Sequence, residues 1–429
     1  MAFGGTVGVG ILRLPGTVAA ALGDPTLVAL AWALGGVYSL LGAVAIAELA
    51  SMMPTSGGFY VYARRAFGPR VGFVIGWSDW MTNTSSTAYA CVTAATFLGR
   101  LWAPIAPHEQ LGAIAILAIL TLLHWVGLRL GRAVTATVCV TVGLMLLGLV
   151  VASFLMRPLA PAATAAPIVS AVGLPLASMG LLAAIVTAMR AVLTTFDGWY
   201  SPIYVAEEST DPARTLPRSI VGGTLLVAGL YLIINVGFLR ALPISVLAAS
   251  QLPAADIAQA IVPHGGNEVV TLISLLTVLS LINATLIISP RILFALGRDG
   301  LCTDKAAVVS ASGTPRFALA LTAIVAAALV FSGTFEQLTA LFAVLFLFNY
   351  ISGYAAVFVL RHREPALPRP YRAFGFPVTT AIVLIGSLLF LLAAIEEDHR
   401  SGAIAGALLV VAIAAYSFVA RSGVPAPRR

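Results

Sequence analysis

Charge is scarce in this chain. Asp, Glu, Lys and Arg together make up 10% of its 429 residues, where a soluble domain carries about 25%. So few charges cannot cover a water-facing surface, so the length does not correspond to two or three soluble domains. Cysteine is nearly absent as well. Cys91, Cys139 and Cys302 lie in or beside apolar stretches, which excludes a disulfide framework and any cysteine-based metal spacing. The five histidines are scattered and there is no Gly-x-x-x-x-Gly-Lys run, so neither a metal nor another cofactor is expected, and a membrane-embedded enzyme is disfavoured. The first apolar run lacks a basic leader and a cleavage site, so no cleavable signal peptide is expected.

What is abundant is apolar: 60% of the residues are hydrophobic. A membrane-spanning helix needs about 20 consecutive apolar residues. Twelve runs satisfy this, from Met1–Leu22 through Gly180–Ala206 in sixth place to Ala403–Ala420. Backbone groups in lipid must bond within their own segment, which makes these runs helices. They are too long and too evenly apolar for barrel strands. The fold class expected is therefore an all-α integral membrane protein, one polytopic domain over 1–429.

The formal net charge is +7, and its distribution points to lipid rather than nucleic acid. One set of loops holds seventeen Arg and Lys residues, Arg64, Arg65, Arg298 and Arg361 among them, and the other set holds four. Positive residues collect on the cytoplasmic side. The basic set includes the C-terminus, and an even number of spans puts both termini in the cytoplasm of a plasma-membrane protein.

Two spans are irregular. The first contains Gly4, Gly5, Thr6, Val7, Gly8, Val9 and Gly10; the sixth contains Thr194, Thr195, Phe196, Asp197, Gly198 and Trp199, followed by Pro202. Each glycine costs a helix about 1 kcal/mol relative to alanine, and packing through small residues needs fewer of them. Unwound backbone inside a membrane is tolerated only where it is buried or lines a cavity. Interruptions in spans one and six suit a five-plus-five inverted repeat with a substrate site at the breaks. A break exposes amides at the start of the outer half-helix, which suit a carboxylate, and frees carbonyls on the inner side, which suit an ammonium. A zwitterion satisfies both. The carboxylate is expected on the amides near Val9, Gly10 and Ile11, and the amine near carbonyls of Gly5, Thr6, Thr194 and Thr195.

Several stretches together resemble the amino acid–polyamine–organocation permeases. They are Gly-Gly-Thr-Val-Gly-Val-Gly-Ile-Leu from Gly4, Glu-Leu-Ala-Ser-Met-Met-Pro-Thr-Ser-Gly-Gly from Glu48, Phe-Asp-Gly-Trp from Phe196, Ala-Glu-Glu from Ala206, Ser-Pro-Arg-Ile-Leu-Phe-Ala from Ser289, and Leu-Pro-Arg-Pro-Tyr-Arg from Leu367. They cover nearly the whole chain. The resemblance implies a LeuT-like fold: inverted repeats over 1–156 and 180–360, discontinuous helices one and six, and two peripheral helices over 378–420. It also implies alternating-access uptake or exchange of amino acids. Three departures stand out. The family's Gly-Ser-Gly reads Gly8-Val9-Gly10, which keeps the amides and loses a hydroxyl. The lysine many members carry in the fifth span would fall near Gly143, and this span has none. The helix-six aromatic gate falls at Thr194 or Phe196, of which Phe196 is the aromatic.

Charges within spans are candidates for function. Asp197 either meets the substrate amine, takes a proton, or caps freed amides. Asp79 is a coupling candidate or a structural partner for an arginine. Glu48, Glu207, Glu208 and Arg291 lie near cytoplasmic helix ends, as inner-gate salt bridges or as solvated interfacial charges. Arg13 and Arg190 either snorkel or line the outer vestibule. Thr82, Asn83, Ser86 and Thr87 give span three a polar stretch facing the cavity, with Asn83 the binding candidate. His124 and Asn349 read as core polar residues. A pocket of apolar groups and hydroxyls favours neutral amino acids. A polyamine carrier and a non-transporting sensor remain the alternatives. The first helix begins only a few residues before its break, so a short inner half is expected.

Overall fold

A computed structural model describes residues 2–8, 10–126, 128–155, 180–250, 252–261, 264–311, 313–332 and 335–421. The first break separates α1 (Ala2–Thr6) from α2 (Gly10–Leu22). They are followed by α3 (Pro25–Met52), α4 (Phe59–Phe67), α5 (Pro69–Leu101), α6 (Glu109–Val126), α7 (Leu128–Leu155) and α8 (Leu181–Phe196). A 3-10 segment, Ser201–Glu208, continues the sixth span beyond its break. The rest comprises α9 (Pro212–Ala241), α10 (Ile244–Ala249), α11 (Pro253–Ile261), α12 (Gly266–Arg298), α13 (Arg316–Ser332), α14 (Phe335–Arg363), α15 (Val378–Glu397) and α16 (His399–Arg421). No strand occurs among the described residues. The repeat boundary expected between 156 and 180 falls on residues outside that set.

Local chemistry sets the helix ends. Asp24 caps α3 by accepting the amides of Thr26 and Leu27 at 2.8 and 2.9 Å, and Pro25 fills the first helical position, where no amide is needed. Gly68 ends α4, and Pro69 starts α5 directly behind it.

The 33-residue helices α5 and α12 lie at the centre, packed on each other, with α14 on α5. At 1.5 Å per residue each is about 50 Å long, longer than a hydrocarbon core of about 30 Å. Outside them, α3 packs on α9 and α2 on α8. The outer faces are oily: Leu122, Leu144, Leu226 and Leu389 are each more than 60% exposed, as only a lipid-covered surface allows.

Length and composition single out eight described helices able to cross a membrane, where the sequence suggests twelve spans. Three of the other four have a physical cause, and α7 enters the count only through its apolar stretch Val140–Leu155. The first span is cut by its break, leaving only 13 residues in α2. Helix α13 has 17 residues. Helix α5 turns its polar stretch inward, with Ser78, Asp79, Thr82, Asn83 and Thr87 all buried. Thr82, Thr84 and Thr87 donate to carbonyls four residues back, at 2.7–2.9 Å, so these hydroxyls need no water.

Candidate functional site

The two irregular stretches are chain breaks, and they meet. Between α1 and α2 the chain leaves the helix at Val7 and Gly8, while Val9 lies outside the described residues. In the sixth span α8 stops at Phe196, a turn runs through residues 197–200, and the 3-10 segment follows. Gly198 adopts φ +102°, a region that disfavours side chains. A Cβ on Gly198 would lie 2.6 Å from the carbonyl carbon of Gly5, and one on Gly5 would lie 2.9 Å from the Gly198 oxygen. A Cβ on Gly10 would lie 3.1 Å from both branches of Thr195. Gly5 thus fits against Gly198, and Gly10 against Thr195. The first four amides of α2, from Gly10 to Arg13, have no acceptor within their own helix. Ile11 is fully buried behind them.

Several carbonyls beside the breaks already have donors. Tyr231 Oη donates to Thr6 O at 2.9 Å, Ser201 Oγ to Gly198 O at 2.5 Å, and the Asp197 amide to Thr194 O at 3.4 Å. Thr195 Oγ1 donates back to Ala191 O at 2.8 Å. A carbonyl oxygen accepts two hydrogen bonds, and Gly198 O, which also takes the Ser201 amide at 3.1 Å, is fully engaged.

Both intramembrane carboxylates are held by tyrosines. Asp197 accepts Tyr350 Oη at 2.6 Å on one oxygen and Tyr200 Oη at 3.2 Å on the other. Asp79 is 1% exposed and accepts Tyr204 Oη at 2.8 Å and Asn83 Nδ2 at 3.2 Å on one oxygen. Among the described residues no arginine pairs with Asp79, so the arginine-partner reading gives way to hydrogen bonds from neutral groups. The Asn83 amide nitrogen also donates to that residue's carbonyl at 2.9 Å. The rings of Tyr200 and Tyr204 lie 5.9 Å apart. One continuous layer therefore joins Asp197, Tyr200, Tyr204 and Asp79, and through Tyr350 it binds α14 to the second break. Trp199 packs in this layer, 5.6 Å from Tyr200 and 5.5 Å from Tyr350. Asn349 Nδ2 donates to Thr82 Oγ1 at 3.1 Å, and His124 pairs with Asn283 at 2.7 Å; both are core polar contacts.

Phe196, the aromatic at the gate position, is enclosed. Its ring packs on Tyr231 at 5.1 Å and Trp32 at 6.2 Å, with Gly36 making room for it. Thr194 is partly buried. Arg13 is exposed and Arg190 partly buried.

At the arginine-rich end the candidate charges are paired rather than merely solvated. Glu208 pairs with Arg291, which also donates to Ile287 O at 2.7 Å. Glu207 accepts Arg298 at 2.8 Å and the Ser56 amide at 3.0 Å. Glu48 is fully buried and bound by Arg361 through two contacts, 2.9 and 2.6 Å, and by the Ala373 amide at 2.6 Å.

Tyr200, Tyr204, Tyr231 and Tyr350 were not singled out from sequence. Their only signal was a hydroxyl-bearing ring in an apolar or irregular span, and nothing in the spacing tells a bonded ring from a packing one. The acceptors Asp79 and Asp197 were visible; their donors come from distant helices.

Comparison with known proteins agrees with this architecture. The amino acid permease family matches residues 1–416. The serine/threonine exchanger SteT of Bacillus subtilis (strain 168) is 24% identical over 411 residues, covering 94% of this chain and 90% of the exchanger. The b(0,+)-type amino acid transporter 1 of Mus musculus is 28% identical over 408 residues, covering 92% and 80%. The branched-chain amino acid permease BcaP of Bacillus subtilis (strain 168) is 25% identical over 415 residues, covering 91% and 85%. The chain is a multi-pass membrane protein of the amino acid permease family, within the amino acid–polyamine–organocation superfamily, whose members are transporters and not enzymes.

Proposed function

We propose that this protein is a secondary carrier of neutral L-amino acids in the plasma membrane, working by alternating access as a symporter or exchanger. The mutual approach of the two breaks carries the reading. Gly5 against Gly198 and Gly10 against Thr195 place the amide-rich start of α2 beside the carbonyl-rich end of α8. Amides at Gly10 and Ile11, with Val9 before them, take the carboxylate. Carbonyls of Gly5, Thr6, Thr194 and Thr195 take the ammonium. The two oxygens of Asp197 are both engaged by tyrosines, which favours an uncharged substrate side chain over a polyamine.

In this reading 1–156 and 180–360 are inverted repeats, 378–420 are peripheral, and both termini face the cytoplasm. The broken helices move against a scaffold of α5, α6, α12 and α13, with Asp79, Asp197 and the Glu208–Arg291 pair as coupling and gating groups. Purified protein in liposomes is expected to take up a labelled neutral L-amino acid saturably and to show counterflow. Failure of every amino acid in a broad panel would sink the proposal. Binding without counterflow would make the protein a sensor, and competition by diamines alone would make it a polyamine carrier.

A further inference from the structure

Unwinding a helix leaves a carbonyl and an amide without partners in a place where water is scarce. In the first break one side chain serves the carbonyl. The Tyr231 hydroxyl, from α9, donates to Thr6 O at 2.9 Å. A phenolic hydroxyl gives one proton, so it stands in for a missing helical donor at that carbonyl. Tyr231 is fully buried, and its ring is fixed by Phe196 at 5.1 Å and by Trp32 edge-on at 6.1 Å. Phe196 is the last residue of α8. Tyr231 therefore touches the first break with its hydroxyl and the rim of the second with its ring.

We infer that Tyr231 is a positioning residue for substrate binding: its hydroxyl sets the opening of the first break. The inference rests on the carrier reading, because what it positions is the proposed carboxylate and ammonium site. It assigns Tyr231 no contact with the substrate. The hydroxyl holds the backbone at Thr6, so that the α2 amides stand at one fixed distance from the carbonyls of α1 and α8. Without it, the polar groups of the break seek other partners and the site spreads over several geometries, only one of which binds.

The test compares Tyr231→Phe with Trp32→Phe in the full chain. The first removes only the hydroxyl. The second loosens the same ring cluster and removes an indole N–H that has no acceptor in the described structure. Wild-type uptake is measured first, and its absence would defeat the carrier reading and this inference with it. Given wild-type uptake, Tyr231→Phe is expected to raise the half-saturating concentration about threefold to tenfold, the scale of one net hydrogen bond. Trp32→Phe is expected to lower the unfolding midpoint and leave half-saturation unchanged. Half-saturation within twofold of wild type in Tyr231→Phe would overturn the inference, as would an equal rise in Trp32→Phe, which would assign the effect to packing. If Tyr231→Phe does not fold, an ester in place of the Thr6–Val7 amide, which weakens the Thr6 carbonyl as an acceptor, decides: a rise in half-saturation of at least about threefold supports the contact, and half-saturation within about twofold of wild type refutes it.

Discussion

Replacing Gly198 by alanine tests the meeting of the two breaks. Two penalties apply. The residue sits at φ +102°, and a non-glycine residue in such a region costs about 1–3 kcal/mol. The new methyl would also lie 2.6 Å from the Gly5 carbonyl carbon and 3.2 Å from the Thr6 nitrogen. Ordinary carbon–carbon contacts are about 3.5–4.0 Å, so the breaks must part by about 1 Å. Overpacking of this kind adds about 1–3 kcal/mol. Neither neighbour can swing aside, because both are backbone. Positional errors of about 1 Å cost constellations of this kind up to about a hundredfold, so Gly198→Ala is expected to raise half-saturation at least about tenfold in uptake assays and to lower the unfolding midpoint. Gly8→Ala is the contrast. Its methyl would meet only Thr6 O, at 3.9 Å, so the fold should keep its wild-type midpoint. A Gly198→Ala protein with wild-type half-saturation and midpoint would show that the breaks do not depend on this contact and do not form a shared site.

Glu48→Ala leaves Arg361 without its buried carboxylate and should cost about 3–5 kcal/mol, read as a large fall in thermal stability, whereas replacing Glu48 and Arg361 together by apolar residues should recover much of it. Amino acid methyl esters and decarboxylated amines are expected to compete weakly for uptake, since they cannot use the α2 amides; equal competition by the ester would remove the carboxylate from the site. Asp398 caps α16, and the Ser401 hydroxyl and amide hold its carboxyl below the usual carboxylate range. A lowered folded-state value means that the stabilisation is present above about pH 3.9 and disappears as pH falls through the folded value. Asp398→Ala should therefore lose about 1 kcal/mol at neutral pH, with its unfolding midpoint converging on wild type in stronger acid.

The helices were legible because lipid simplifies the code. A segment such as Thr26–Ala47 must be apolar throughout and must bond to itself, so run length alone locates α3. Legibility failed where a span is not uniformly apolar. In the polar stretch of α5, Thr82, Thr84 and Thr87 bond to their own helix, and the Asn83 amide nitrogen bonds to Asp79, contacts that no run-length rule announces. The breaks themselves were legible for the opposite reason. Four glycines between Gly4 and Gly10 are too costly in a helix for any lesser purpose. The density marks the position of the break, while its partner is a matter of tertiary packing: nothing local says that Gly5 must face Gly198.

The same limit explains the charges. Glu48, Glu207, Glu208 and Arg291 were visible as charges at helix ends, and a charge there is stable whether solvated or paired. What decides is burial. Glu48 is fully buried because Arg361, more than three hundred residues later, meets both its oxygens in a parallel fork. The intramembrane carboxylates follow the other course. No arginine reaches Asp79 or Asp197 among the described residues; they take hydroxyls instead, from Tyr204, Tyr200 and Tyr350. A hydroxyl can be exchanged for another donor at far lower cost than a buried guanidinium can be left unpaired. Rigid ion pairs therefore bind the arginine-rich end, while the exchangeable hydrogen bonds surround the breaks, where the proposed site lies.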